Sequence, residues 1–367
     1  MFNYSFYSFN DTFKSGNEHS GLREFESSFS IFHGYASIVV CIFGVCTNVF
    51  NITILTRRDM RTPTNIILSW LAVADIMTML PYIPFAIHFY CPNSPPFIAP
   101  EKYSYKWILY MLFVINSAAT THTISNWLGV SLSFFRFLQM RSTSRGPLAK
   151  ERRITQVKIV TVIIFLTSCV ILVPNYLTNE IESHPGPRNT TIYRVKSNET
   201  DGLVVINFVI YAVVAKVVPC LFMIVFSGSL VYTVSYKNRH RRKRLAAAGK
   251  KSKRDTRQTT TTRMLLVVIV LFLLTELPQG IMILVSASIP HFYDNVYSLL
   301  GDFMDFIALL NTAINFVLYC IMSQQFRYRF IQMYLRRKRP HQVLEDTGNT
   351  SERLYLKKSL GKISGTY

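Results

Sequence analysis

The sequence predicts an all-α fold: a bundle of seven transmembrane helices with a short amphipathic eighth helix on the cytoplasmic side. Three observations predict it. Half of the 367 residues are hydrophobic, only 16% are charged, and there are 27 Phe and 20 Tyr, which is the composition of a membrane protein. Seven apolar runs occur, at roughly 31–56, 64–90, 106–138, 154–177, 203–236, 262–289 and 296–322, and a bilayer needs ~20 such residues per span. With the N-terminus outside, 32 of the 40 Lys and Arg fall on the inner side and 7 on the outer, Lys216 lying within a span. That asymmetry sets the topology by the positive-inside rule. It also takes the net charge of +20 away from nucleic acid, because the basic excess faces the lipids of the inner leaflet.

Residues 1–30 are polar and aromatic and lack an apolar core beside a small-residue cleavage site, so the first span is expected to act as signal anchor. The sequons at Asn3, Asn10, Asn189 and Asn198 all fall on the predicted outer side, where glycosylation occurs. Of the six cysteines, only Cys91 lies outside the spans, so no disulfide framework is expected. The seven-helix bundle is expected over 31–322, the amphipathic helix over 323–336 and a disordered tail over 337–367, with Ser and Thr open to kinases.

Within the bundle, the first span carries Asn48. The second carries Asp75, then Pro81 and Pro84, which should bend its outer end. The third has a stripe of Ala118, His122, Ser125, Gly129, Leu132 and Arg136, stepping by four and three, so one face runs the length of the helix. Pro174 marks the outer end of the fourth span. The outer loop 178–202 holds Glu180 and Glu182, and the fifth span holds Lys216 and Pro219. The seventh carries Asp302, Asp305, Asn311, Asn315 and Tyr319. Beyond it, Phe326, Phe330 and Tyr334 alternate with arginines, the pattern of a helix lying on a membrane surface.

The sixth span is the most informative. Glu276 sits near its middle, two residues before Pro278. A charge at a helix centre costs ~2.5–3.5 kcal/mol on insertion scales, so Glu276 must face the protein interior and have a partner or a task. Phe272, Glu276 and Gln279 share one face. Lys216, one turn before Pro219, is the other intramembrane charge and the candidate partner, since two unpaired charges are each costly. The competing arrangement is a protonated Glu276 bonded to His122.

Seven spans with Asn48, Asp75, Arg136, Pro219, Pro278 and Asn315 followed by Tyr319 resemble the rhodopsin-like G-protein-coupled receptors over about residues 31–335. Thr275-Glu276-Leu277-Pro278-Gln279-Gly280 and Lys216-Val217-Val218-Pro219 resemble the invertebrate myosuppressin and FMRFamide-like peptide receptors, which are related to the sex-peptide and myoinhibitory-peptide receptors. The resemblance implies a plasma-membrane receptor for an amidated, RFamide-like neuropeptide. It implies coupling to a heterotrimeric G protein, with the inhibitory class expected, and arrestin and kinases at the tail. It places G-protein coupling at Arg136, Tyr319 and Arg263. Ligand binding is expected at Asp302, Asp305, Gln279, Glu276, His122, Glu180 and Glu182. Asp75, Ser125, Asn311 and Asn315, with Asn48 nearby, match that family's central sodium pocket, with a sodium ion at Asp75 and Ser125; the alternative is a water-filled polar network that holds the helices together. The departures are Phe135 in place of the acid before Arg136, Glu276 in place of a tryptophan, Phe316 in place of a proline, and no cysteine at the outer start of the third helix. No HExxH, GxSxG or phosphate-binding glycine loop is present, so no enzyme is expected. The rival reading is a seven-helix chemosensory receptor for small molecules and, beyond that, a transporter or channel.

Overall fold

The computed structural model describes residues 20–91, 100–142, 146–186, 190–196, 202–247, 255–289 and 291–335. Its main unit runs to Arg329 and holds α1 (Ser20–Leu55), α2 (Pro63–Tyr90), α3 (Tyr105–Arg141), α4 (Pro147–Ile171) and the short α5 (Val173–Leu177). A β-hairpin follows, β1 (Glu180–Pro185) and β2 (Thr191–Lys196). The fifth span is α6 (Gly202–Ile210), a π-helical stretch Tyr211–Val217 and α7 (Val218–Ala247). The sixth is α8 (Asp255–Ser288), and the seventh is a π turn Tyr293–Tyr297 continued by α9 (Ser298–Met322). Then comes α10 (Gln324–Phe330). Seven helices are long and apolar enough to cross a membrane, so the chain is a multi-pass membrane protein.

The third helix is the hub. Of its most apolar stretch, 78% is buried inside the protein, against 28–56% for the other spans. Its polar content explains this: Asn116, Thr120, Thr121, His122, Thr123, Ser125 and Asn126 are all buried, and in lipid such groups must find protein partners. Thr78 and Thr121 share a hydrogen bond of 2.6 Å across α2 and α3. Pro81 and Pro84 lie inside α2 without ending it, and the Tyr110 hydroxyl donates to the Pro81 carbonyl at 2.8 Å.

Two boundaries correct the sequence reading. The segment assigned to the N-terminus ends earlier, because α1 starts at Ser20. Phe25 and Phe29, spaced by four, carry the helix up along α9, with ring centroids 5.7–6.0 Å from Phe303 and Phe306. The outer loop is built as a hairpin, and Thr191–Lys196 has the β-branched and aromatic content of a strand. Its register sets Glu182 opposite Arg194, opposite charges that favour the pairing.

The hairpin is fixed without a covalent tie, all six cysteines being free thiols. The Tyr193 amide donates to the Tyr103 carbonyl at 2.9 Å, Tyr105 and Tyr193 meet edge to face at 5.4 Å, and Ile192 and Val195 are buried in the cluster that contains Tyr103 and Ile108. At its root, Asn175 donates to Asn116 on α3 at 2.8 Å and accepts from Asn207 on α6 at 3.0 Å. Asn175→Ala strands both neighbours, which costs about 1–3 kcal/mol. It should lower the melting midpoint of the purified protein in detergent, while a reducing agent should leave the wild-type midpoint unchanged.

Candidate functional site

The site is built where α3, the fifth span and α8 meet. Pro219 lacks the N–H that an α-helix would return to Ala215, and Asn126 on α3 donates to that carbonyl at 2.7 Å. The π-helical stretch just before it widens the helix and carries Lys216 inward; such π segments are frequent at functional sites. On α8, Gly280 lets the two backbones close up: a Cβ there would stand 2.7 Å from the Lys216 Cβ.

Lys216 and Glu276 are 0% and 1% exposed, and the Lys216 ammonium bonds directly to Glu276 Oε2. It also donates to Gln279 Oε1 at 3.0 Å. Asn126 Nδ2 donates to Glu276 Oε2 at 3.2 Å. His122 Nδ1 stands 3.7 Å from Glu276 Oε1, too far for a hydrogen bond. Of the two arrangements that the sequence leaves open, the geometry forms the Lys216–Glu276 pair, with His122 alongside. Around this pair several buried atoms have no hydrogen-bond partner among the described residues: Asn126 Oδ1, Gln279 Nε2 and the hydroxyls of Tyr211 and Tyr297.

The seventh span adds two more buried carboxylates. Asp305 lies within electrostatic range of Glu276, Lys216, Tyr211 and Tyr297. Asp302 points to the other side, where the Tyr90 hydroxyl donates to its Oδ1 at 2.9 Å. Glu180 and Glu182 are exposed on β1, and Glu182 stands 3.8 Å from His184. Thus Glu276, Gln279, His122 and Lys216 come together, Asp305 lies within electrostatic range of Glu276, Lys216 and Asp302, Asp302 is bonded to Tyr90, and the two glutamates are exposed.

The polar set below divides. Asn315 donates to Asp75 Oδ2 at 3.2 Å. Asn48 reaches the Thr312 carbonyl at 3.5 Å, and Asn311 donates to Thr275 Oγ1 at 3.3 Å. Ser125 is buried on α3. Near the opposite end, Arg136 donates to Gln139 at 3.4 Å, and its Nε is buried without a partner. Phe135 is buried, and Phe134 packs on Phe226 at 5.2 Å. The Lys237 ammonium bonds to the Met140 carbonyl, tying the fifth span to the end of α3. Tyr319 is buried against Phe326 at 5.6 Å. The side chain of Arg263 and the sequon residues Asn3, Asn10, Asn189 and Asn198 lie outside the described residues.

The sequence reading misses a second polar group between α1, α2 and α9. His33 Nε2 and the Tyr82 hydroxyl are 2.6 Å apart, and Ser37 lies 3.5 Å from His33 Nδ1. The signal was there: a histidine and a serine four apart inside an apolar run.

Residues 35–337 match the family described as serpentine type 7TM GPCR chemoreceptor Srw. Among individual proteins, the chain is similar to the G-protein coupled receptor dmsr-1 of Caenorhabditis elegans, 27% identical over 83% of this chain and 68% of that protein. It is similar to the sex peptide receptor of Drosophila melanogaster, 26% identical over 83% of this chain and 73% of that protein. The FMRFamide receptor of the same fly is 24% identical over 82% of this chain and 53% of that protein.

Two outcomes follow from this geometry. Breaking a buried pair by removing one partner costs ~3–5 kcal/mol because it strands the other charge. Glu276→Gln and Lys216→Met should each reduce surface expression or signalling more than the double variant does, and strictly additive losses would contradict the pair. At the other end, no ion pair among the described residues reaches Arg136, so unliganded signalling should be measurable and should fall when Phe135→Asp supplies an acidic neighbour.

Proposed function

The chain belongs to the serpentine seven-helix G-protein-coupled receptors of the Srw chemoreceptor type, and on that basis we propose that it is a plasma-membrane receptor for a cationic, amidated peptide of RFamide-like chemistry, built on the rhodopsin-like plan. The observation that carries this reading is the surplus of buried carboxyl groups. Beyond the buried Lys216–Glu276 pair, two more carboxyl groups, Asp302 and Asp305, are buried toward the hairpin end of the bundle. Among the described residues no ion pair reaches Asp302 or Asp305. A buried carboxylate is costly without a partner, and a guanidinium fork matches a carboxylate closely. The buried atoms without partners on Gln279, Tyr211 and Tyr297 are suited to a peptide's amide end, which both donates and accepts. The proteins named as sex peptide and FMRFamide receptors are in keeping with a peptide ligand.

The hairpin end faces outward on this reading, as the 32 to 7 split of Lys and Arg supports, and the N-terminus is extracellular. A ligand cation bound at Asp305 places positive charge near Lys216 and weakens its hold on Glu276. That frees α8 to swing about Pro278, a motion by which such bundles switch between two states. Arg136, Tyr319 and Arg263 then face a heterotrimeric G protein, of the inhibitory class by resemblance, with arrestin and kinases acting on the tail. Asp75 and Ser125 offer the oxygen donors that a sodium ion prefers, and Asn315 orients the carboxylate.

The chemoreceptor description of the family favours a second reading, a small organic cation as ligand. One screen separates the two. Cells expressing the receptor and a G-protein reporter are exposed to amidated peptides ending in Arg-Phe, to the same peptides with a free carboxylate, and to small amines. We expect the amidated peptides to activate at nanomolar concentration, and a response to amines alone would favour the chemosensory reading. Asp305→Asn should weaken the peptide response by about 30-fold or more, since removing one side of a buried charged contact costs ~2 kcal/mol or more.

A further inference from the structure

Asp302 and Asp305 stand one turn apart on α9, yet their surroundings differ. Asp302 Oδ1 accepts a hydrogen bond of 2.9 Å from the Tyr90 hydroxyl at the end of α2. Tyr90 is held in place from behind. Its ring centroid lies 4.9 Å from that of His33, and Gly34 leaves it the space it occupies, since a Cβ there would stand 2.4 Å from the Tyr90 Cβ. His33 is in turn held by Tyr82 at 2.6 Å and stands 3.5 Å from Ser37, and it lies beside Asp302. All of these groups are buried or half-buried. No hydrogen bond from the described residues reaches Asp305 in the same way; it is buried within electrostatic range of Glu276, Lys216, Tyr211 and Tyr297, and also of Asp302, Tyr82 and Tyr90.

We propose that Tyr90, backed by His33 and Gly34, is a positioning residue that divides the work of the two acids: it ties Asp302 into the α1–α2–α9 junction and leaves Asp305 as the carboxylate that anchors the ligand's cation. The inference rests on the reading of the ligand as cationic, but the division of labour makes a claim about the unliganded protein as well. Asp302 accepts from a donor on another helix through a carboxylate oxygen, and Asp302→Asn replaces that acceptor with a weaker amide oxygen. Asp305 is buried with no such donor among the described residues, so its loss relieves the protein. Sites kept for function are often unfavourable for stability in this sense.

The experiment has two arms on the full-length receptor. In the first, without ligand, the melting midpoint in detergent is measured for Asp302→Asn, Asp305→Asn, Tyr90→Phe, and Tyr90→Phe combined with each Asn variant. Asp302→Asn and Tyr90→Phe should each lower the midpoint, and their combination should lose less than the sum. Asp305→Asn should raise it, additively with Tyr90→Phe. Equal shifts for the two Asn variants, or coupling of Tyr90 to Asp305 instead, would overturn the proposal. In the second arm the probe is a synthetic amidated peptide ending in Arg-Phe. Asp305→Asn should lose about 30-fold or more in potency, Asp302→Asn less than a few-fold, and Tyr90→Phe should recover part of the Asp305→Asn loss by releasing Asp302. A peptide that fails to activate even the wild type counts against the ligand reading alone, and the first arm still decides the division of labour.

Discussion

A bilayer offers no solvent to a charged group, and that constraint governs the centre of this molecule. Lys216 and Glu276 lie on different spans, and each alone would be costly at that depth. They become tolerable only by meeting inside protein, which requires the backbones of two helices to approach. Gly280 removes the Cβ that would block the approach, the π-helical stretch turns Lys216 inward, and Pro219 leaves the Ala215 carbonyl to Asn126. Asn126 then serves both sides of the contact, since its amide also donates to Glu276. One ion pair thereby accounts for a glycine, a proline, an asparagine and a helical irregularity on three separate elements.

The same physics makes α3 the hub. A helix whose buried face carries Asn116, Thr120, Thr121, His122, Ser125 and Asn126 cannot turn that face to lipid, so other helices must surround it. The asparagine chain from Asn116 through Asn175 to Asn207 extends this logic to the end of the bundle. There it holds the root of the hairpin by hydrogen bonds that a disulfide would otherwise supplement. Hydrogen bonds between helices are individually modest in membranes, ~0.6 kcal/mol on average. A chain of them with a main-chain bond and buried aromatic rings divides the task among many weak contacts.

What could be read in the sequence follows from this. Apolar runs of spanning length and the intramembrane positions of Lys216 and Glu276 are one-dimensional signals, so the helix count and the principal pair were legible. The start of α1 was not, because Phe25 and Phe29 look like ordinary residues of a polar segment until Phe303 and Phe306 lie opposite them. The hairpin was missed because its strands are short and flanked by turn residues. The separate surroundings of Asp302 and Asp305 were hidden for another reason. Spacing by three says that they lie on one side of α9, but only the positions of α1 and α2 decide which of them meets Tyr90. The expected polar set around Asp75 was legible as a group and not as a network, since Asn48 and Asn311 find partners on their own neighbours instead.

The two ends of the bundle carry opposite imbalances. Near the hairpin there are more buried carboxylates than cations, while near the other end a buried guanidinium nitrogen of Arg136 has no partner. A protein selected only for stability would pair or remove such groups, because each unpaired buried polar atom costs free energy. Their persistence at both ends of the same α3-centred bundle, with an ion pair and a helix-breaking proline between them, is the arrangement expected where two outside partners supply what is missing. Pro278 gives α8 a point at which to bend, and the Lys216–Glu276 contact sits two residues from it. A change in the charge balance near Asp305 therefore acts next to the one place on α8 where the backbone hydrogen bonding is already interrupted.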